Sequence, residues 1–330
     1  MSFRVRLDSG EGFEVEAAQT LLGAALRAGI PLPSDCRQGA CGTCRVEILE
    51  GRVTYDEPPM GLAPEDEAAG YAFACQARAQ SDLVIRAASA ALVPAERRTA
   101  AIAAIERLTP DVFHLRLELE RAIDYAPGQH MKVVLPGGAT RNFSMASRPN
   151  GGALDFHVRR VPGGRFTDGQ LPGMRPGQPV EVELPHGAFI FRRQDYRPVL
   201  MVATGTGLAP LRSMLHALLD DPDAPPIELY WGMRTACELY ADAELRAWAQ
   251  RIPGLRYVPV LSRADASWTG RRGHVHDAVC EDHAKLSELA IYLCGSPNMI
   301  GEAKPAFARR GASLEHLYAD GFVFQGRGNS

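Results

Sequence analysis

Several features that would give a chain an easy assignment are missing from this sequence. Basic residues are not in excess: 36 Lys and Arg stand against 39 Asp and Glu, a net charge of −3, which argues against a nucleic-acid binder. No apolar run approaches the ~18 residues that span a bilayer, so no membrane partner is expected. The opening MSFRVRLDSGEGFEVEA alternates like a strand and lacks the apolar core of a signal peptide, which makes the cytoplasm the expected location. Internal repeats and low-complexity tracts are absent, and neither an acid–base dyad nor a hydrolytic triad stands out. Cysteine is scarce: seven residues, an odd number in a chain with no secretion signal, do not form a disulfide framework. Their distribution is uneven, however, because four lie within residues 36–75 and three of those within nine positions.

What is present divides into three compositional units. Residues 1–86 open with alternating runs, Phe3/Val5/Leu7 and Phe13/Val15, joined across Asp8–Gly12 as in a β-hairpin. A short helix follows, capped by Thr20, with Leu21, Leu22, Ala25 and Leu26 on one face. Then come the cysteine loop, a strand at Val46–Ile48, a Pro64-initiated helical turn and a strand at Leu83–Ile85. Residues 87–98 are small and unpatterned and read as a linker. Residues 99–196 carry short alternating runs punctuated by Gly and Pro, the pattern of a small antiparallel barrel. From 197 to 330 the pattern is βαβ: buried strands at Val199–Ala203, Ile227–Trp231, Tyr257–Leu261 and Ile291–Leu293 alternate with helical segments, predicting a parallel sheet. The fold class is therefore multidomain, α+β followed by α/β.

Cys36, Cys41, Cys44 and Cys75 have the spacing C-x4-C-x2-C-x30-C. This resembles the plant-type ferredoxin signature, which implies a β-grasp domain whose four thiolates hold a [2Fe–2S] cluster. The small residues Gly39, Ala40, Gly42 and Thr43 suit a backbone that must approach a cluster and donate N–H bonds to its sulfides. A structural zinc site or four unrelated buried thiols are the alternatives, but zinc usually takes paired C-x2-C knuckles and only one such pair exists here.

Two segments of the second unit and two of the third carry motifs, of which Gly163–Thr167 is built to hold an anion. Arg141-Asn142-Phe143-Ser144 ends a predicted strand, and Gly163-Gly164-Arg165-Phe166-Thr167 follows another and is expected to open a short helix. Thr204-Gly205-Thr206-Gly207-Leu208-Ala209-Pro210 links a buried strand to an amphipathic helix, the context that gives a glycine motif meaning. Cys294-Gly295-Ser296-Pro297 again joins strand to helix. Singly these are weak; a lone cysteine at a strand end, for instance, is an ordinary small hydrophobe.

Taken in order, they resemble the ferredoxin–NADP⁺ reductase superfamily, with its FAD-binding barrel and parallel-sheet nucleotide domain. By that resemblance Arg141 binds the FAD pyrophosphate, Phe143 lies on the flavin where the family usually has Tyr, and Ser144 approaches N5. Gly164, Arg165 and Thr167 hold phosphate. Gly205, Thr206, Gly207 and Pro210 form the nicotinamide-pyrophosphate loop, and Cys294 with Gly295 lies near the nicotinamide ring. Near the C-terminus Phe322, or else Phe324, shields the flavin face. Cys294, Ser144 and Phe322 are thus the expected catalytic residues. His274 and His276 resemble a metal pair only superficially, and Cys237 and Cys280 have no such context.

A nicotinamide gives up two electrons together, whereas a [2Fe–2S] cluster accepts one. A flavin between them reconciles the two. The layout resembles the reductase components of bacterial oxygenases, above all those serving aromatic-ring dioxygenases, and the expected partner is an oxygenase component or an intermediary electron carrier. Reductases of di-iron monooxygenases and of CDP-6-deoxyglucoseen share it, and a non-turnover redox sensor is a further alternative. Arg234 and Glu238 both follow the second nucleotide-domain strand, so local chemistry leaves NADPH open; the resemblance favours NADH, with Glu238 on the adenosine ribose. Electrons are expected to leave around Arg37–Thr43, with Asp56, Glu57, Glu65, Asp66 and Glu67 available to steer a basic partner.

Overall fold

The chain is seen here as a computed structural model, which describes residues 2–322 apart from Pro31, Asp35, Cys36, Cys41 and residues 88–93, 150 and 151. The first unit contains β1 (Ser2–Leu7), β2 (Gly12–Glu16), α1 (Leu21–Arg27), β3 (Arg45–Glu50), β4 (Val53–Thr54), α2 (Pro64–Ala68), β5 (Tyr71–Phe73), β6 (Arg78–Ala79) and β7 (Leu83–Ala87). The sheet order β2-β1-β7-β3-β5, with β1 and β7 parallel, is a β-grasp. Alternation along β1 and β2 buries Val5, Leu7, Phe13 and Val15, and α1 closes over them. The Thr20 hydroxyl caps α1 by accepting from the Gly23 amide at 3.2 Å. Leu26, expected on the buried face, is 43% exposed; Ala24 takes that place because the stripe runs through Leu21, Leu22, Ala24 and Ala25.

The second unit is built from β8 (Glu96–Thr109), β9 (Val112–Leu119), β10 (His130–Val134), β11 (Thr140–Ser144), β12 (Ala153–Arg159) and β13 (Pro179–His186). They pair in the order β11-β10-β13-β8-β9-β12, and a bridge between Met145 and Phe156 brings the two edges together as a barrel. Leu115, Leu117, Met131, Val133, Phe156, Val158 and Val182 fill it. Residues 96–98, read from sequence as linker, belong to β8 and pair with β13. Their Glu-Arg-Arg composition hid an edge whose stability comes from a partner more than eighty residues away.

The third unit holds β14 (Val199–Thr204), α3 (Leu208–Leu218), β15 (Ile227–Met233), α4 (Asp242–Arg251), β16 (Leu255–Leu261), β17 (Arg271–Arg272), α5 (Val275–Asp282), β18 (Ala290–Gly295), α6 (Pro297–Ala308) and β19 (Leu317–Gly321). Its sheet is parallel throughout, in the order β17-β16-β15-β14-β18-β19. Both faces are covered, so β14 and β18 are apolar runs rather than alternating strands. The expected architecture of β-grasp, barrel and parallel-sheet domains is borne out. Sequence missed β17 and β19, which are short or polar edge strands. No helix among the described residues is long and apolar enough to cross a membrane.

Candidate functional site

Strand order reverses direction between β14 and β18. In open parallel sheets, the carboxyl ends at such a switch point form the ligand crevice. Both glycine loops emerge there, and they pack back to back. A Cβ on Gly207 would lie 2.3 Å from the Cys294 carbonyl oxygen, and one on Gly295 would lie 2.5 Å from the Thr204 carbonyl oxygen. The Thr204 hydroxyl also accepts from the Ser296 amide at 2.9 Å. Two motifs some ninety residues apart therefore form one wall.

A cleft of about 310 Å³ opens against this wall, lined in part by Thr204, Gly205, Thr206, Gly295, Ser296 and Phe322. Pro210 lies buried in the first turn of α3 behind it. The Phe322 amide donates to the Gly295 carbonyl at 2.7 Å, which fixes that residue at the cleft. Phe324 lies outside the described residues. Cys294 does not line the cleft: it is fully buried, and burial raises its thiol well above the ordinary cysteine range. Its backbone, rather than its sulfur, meets the Gly207 loop.

Glu238 and Arg234 both line the same cleft. One Glu238 carboxylate oxygen is already engaged, accepting from the amides of Arg234 at 3.0 Å and Thr235 at 2.9 Å, so the side chain first holds its own loop. Arg159 was not anticipated. It comes from β12 of the barrel, yet its guanidinium lies 3.5 Å from where a Gly205 Cβ would be, and it lines the cleft. The sequence signal was only a basic pair, Arg159-Arg160, at a strand end. His274 lines the cleft and stacks on His276 with centroids 5.8 Å apart, but no metal-ligating group of three or more occurs among the described residues.

The barrel places the second pair of motifs beside α3. Ser144 is buried at the end of β11, where it pairs with His130. Just beyond it, Arg212 of α3 donates to the Ala146 carbonyl at 2.6 Å and Ser213 donates to the Ser147 carbonyl at 2.7 Å. The helix that begins at the nucleotide loop is thus bonded to the continuation of the Arg141–Ser144 strand. Phe143 meets Phe166 with centroids 5.4 Å apart, joining that strand to the glycine loop. In that loop the Gly163 amide donates to Asp168 at 2.8 Å and the Val161 amide to the Thr167 hydroxyl at 3.2 Å. The amides of Arg165, Phe166 and Thr167 find no acceptor among the described residues. The helix expected there is a run of hydrogen-bonded turns before a 3₁₀ turn at Leu171–Gly173. Those open amides suit a phosphate-bearing cofactor, and the Arg165 guanidinium beside them donates to the Pro136 carbonyl at 3.2 Å.

A partly buried aromatic relay ties the two domains further. The Trp231 indole donates to the Gly205 carbonyl at 3.0 Å, Tyr240 packs edge-on against Trp231, and the Tyr240 hydroxyl bonds His157 at 3.1 Å. Burial and then the Arg212 charge push His157 down to about 3, so the ring that shares this hydrogen bond is neutral.

Of the four expected cluster ligands, Cys36 and Cys41 lie outside the described residues, while Cys44 and Cys75 are buried beneath the loop. Both stand near Tyr55, whose hydroxyl is pushed up to about 12 by burial, with negative charge on Glu67, Cys44 and Cys75 adding to it. A buried cysteine pair beside a loop rich in small residues fits an iron–sulfur cluster. Gly42 and Thr43, expected on the exit side, instead face an inward cleft with Phe189, Arg192 and Tyr318. Arg37 and Gln38 remain exposed. Asp66, expected to steer a partner, is fully buried against the nucleotide domain, since Lys304 neutralises it there.

Comparison with known proteins agrees with this division. Residues 6–80 match the 2Fe-2S iron-sulfur cluster binding domain, residues 99–191 the oxidoreductase FAD-binding domain and residues 201–304 the oxidoreductase NAD-binding domain. The chain is 34% identical to the CDP-6-deoxy-L-threo-D-glycero-4-hexulose-3-dehydrase reductase of Yersinia pestis, covering 98% of this chain and 99% of that protein. It is 32% identical to the terephthalate 1,2-dioxygenase reductase component 1 of Comamonas sp., covering 96% of each. Among solved structures it is similar to the Amycolatopsis cytochrome P450 reductase GcoB, with a TM-score of 0.73 and 35% identity over 97% of this chain and 98% of that one.

Proposed function

Because the chain belongs to the iron–sulfur flavoprotein reductases that carry 2Fe-2S, FAD-binding and NAD-binding domains in one polypeptide, we propose that it draws electrons from NADH for an oxygenase component, most specifically that of an aromatic-ring dioxygenase. Bound FAD supplies the chemistry no side chain can, accepting a hydride and yielding its electrons singly to the cluster.

The protein's residues have more limited tasks. Arg141, Arg165 and the open amides at 165–167 hold the FAD phosphates, with Gly164 allowing close approach and Thr167 bracing the loop. Phe143 packs on the flavin, and Ser144 sits at its reacting edge. Gly205, Thr206 and Gly207, at the start of α3, receive the nicotinamide diphosphate with Arg159 supplying positive charge, and buried Pro210 shapes that turn. Phe322 covers the site where nicotinamide and flavin meet. Cys294 serves by packing beneath this wall, its small side chain keeping the Gly207 loop close. The second Glu238 oxygen bonds the adenosine ribose and favours NADH. Cys36, Cys41, Cys44 and Cys75 ligate the cluster.

The observation that carries this reading is the end of β19. Phe322 is anchored in the nucleotide cleft, while a Cβ on the preceding Gly321 would lie 2.9 Å from the Ala40 carbonyl oxygen in the cysteine loop. The nucleotide cleft and the cysteine loop are thus reached from adjacent residues. Several relatives named as reductase components of aromatic oxygenases favour that customer. The full-length match to a deoxysugar dehydrase reductase favours that reaction as a second reading.

Anaerobic titration followed in the visible spectrum tests the electron path. NADH should bleach flavin and cluster bands together with uptake of about three electrons per chain, two on FAD and one on the cluster. Comparable efficiency with NADPH would refute the Glu238 assignment, and absence of cluster bleaching would refute the path. Reconstitution with an aromatic dioxygenase or with a deoxysugar dehydrase then separates the two customers by product formed.

A further inference from the structure

The β-grasp domain is not loosely tethered to the rest of the molecule. Lys304 of α6 projects into it with only 4% of its surface exposed. Its ammonium donates to the Gly61 carbonyl at 2.8 Å and to an Asp66 carboxylate oxygen at 3.0 Å, and it stands 5.8 Å from the Phe73 ring centroid. Asp66 is itself fully buried, and the same oxygen accepts from the Ala63 amide at 3.1 Å. Its other oxygen has no hydrogen-bond partner among the described residues. One further polar contact crosses the boundary nearby, Arg45 to the Leu314 carbonyl at 3.0 Å.

A buried pair so incompletely satisfied contributes little net stability, because desolvation offsets most of the attraction. What it contributes is register. The connection to the cysteine loop is short: Gly61, which accepts from Lys304 through its carbonyl, donates its own amide to Gly39 at 2.8 Å. The next residue, Ala40, presents the carbonyl on which both Gly61 and Gly321 close; a Cβ on either would come within 3 Å of it. At its other end α6 begins at the Gly295-Ser296-Pro297 loop of the nucleotide cleft.

We propose that Lys304 is a positioning residue for electron transfer: by engaging Gly61 and Asp66 it sets the register in which the cysteine loop rests on Gly321 at the end of β19. The proposal rests on the electron path given above. Each NADH delivers two electrons and one proton as hydride to the flavin. The electrons then cross to the cluster one at a time and reduce two one-electron acceptors, so with ferricytochrome c the sum is NADH + 2 cytochrome c(III) → NAD⁺ + H⁺ + 2 cytochrome c(II). Only the crossing depends on the Ala40–Gly321 contact; hydride transfer does not.

The test compares the holoenzyme with Lys304→Met, Asp66→Asn and the double variant. Asn retains an acceptor for the Ala63 amide, and the double variant leaves no unpaired buried charge. Docking is read without any electron acceptor, as hydrogen exchange across residues 61–69 and 297–308 and as the radius of gyration in solution. Turnover is read with ferricyanide, which takes electrons from the flavin, and with cytochrome c, which takes them from the cluster. Lys304→Met should speed exchange in both segments and lower the kcat for cytochrome c about tenfold, as the docked fraction falls, with the ferricyanide rate and the KM for NADH within about twofold. The double variant lacks the same bonds without stranding a buried charge, so it should keep both losses. Unchanged exchange and cytochrome c rate in Lys304→Met would overturn the proposal, as would equal loss in both assays or a double variant restored to wild-type exchange and cytochrome c rate. A wild-type enzyme unable to reduce cytochrome c would instead refute the electron path, with the docking measurements still scoring the latch.

Discussion

Gly207→Ala provides a sensitive test of the nucleotide wall, because local and tertiary arguments predict opposite signs. Gly207 has φ −59° and ψ −12°, a conformation alanine adopts without strain. On backbone entropy alone the substitution would stabilise the protein by about 0.4–1 kcal/mol. The fold reverses this, since the new Cβ would lie 2.3 Å from the Cys294 oxygen and 2.6 Å from both the Cys294 carbonyl carbon and the Gly295 Cα. All three are backbone atoms that no rotamer change can move. Overpacking of this kind costs about 1–3 kcal/mol, leaving a net loss of about 1–2. Gly301→Ala is the control: it lies within α6, with nothing within 4 Å of its Cβ, and should gain about 0.5–1 kcal/mol. At about 2–4 °C per kcal/mol the two variants should differ by about 3–12 °C in the calorimetric transition of the nucleotide domain. Gly207→Ala should also raise the KM for NADH, since the loop must tilt away from Gly295. If it melts at or above wild type, the back-to-back packing of the two loops is wrong.

Arg159→Leu should raise the KM for NADH by about tenfold with little change in kcat, because the guanidinium serves binding; an unaltered KM in steady-state assays would count against its placement. His157 has a folded pKa of about 3 against an ordinary 6.5, so the folded state binds fewer protons between those values. The stability associated with the neutral ring is complete above pH 6.5 and is lost towards pH 3, at up to about 1.4 kcal/mol per pH unit. His157→Gln keeps an acceptor for Tyr240 and should flatten the acid limb of a melting-temperature profile; an identical acid limb would refute the assignment. In the native holoprotein iodoacetamide should label exposed Cys237 and spare Cys294, read by peptide mass spectrometry, and early labelling of Cys294 would contradict its burial.

Much of this protein was legible before any coordinates, wherever the signal was local. The C-x4-C-x2-C spacing, the Thr204–Pro210 strand–turn–helix and the alternating barrel strands each depend on neighbours a few residues away, where steric and hydrogen-bond requirements act directly on residue type. Ordered along the chain, they sufficed for the three domains and for the cofactor classes the domain matches support. Other features are matters of long-range pairing. β8 begins in charged residues and β19 is an edge of mixed composition; both are strands because distant partners accept their backbone groups. Arg159 looks like any surface arginine until the barrel docks on the nucleotide domain, and Asp66 looks like a solvated helix-start acid until Lys304 meets it. Cys294 was expected near the nicotinamide ring, and only the tertiary structure shows its sulfur buried in the core with its backbone against Gly207. Local chemistry names the parts, whereas their register against one another is set by contacts between segments that sequence spacing does not relate.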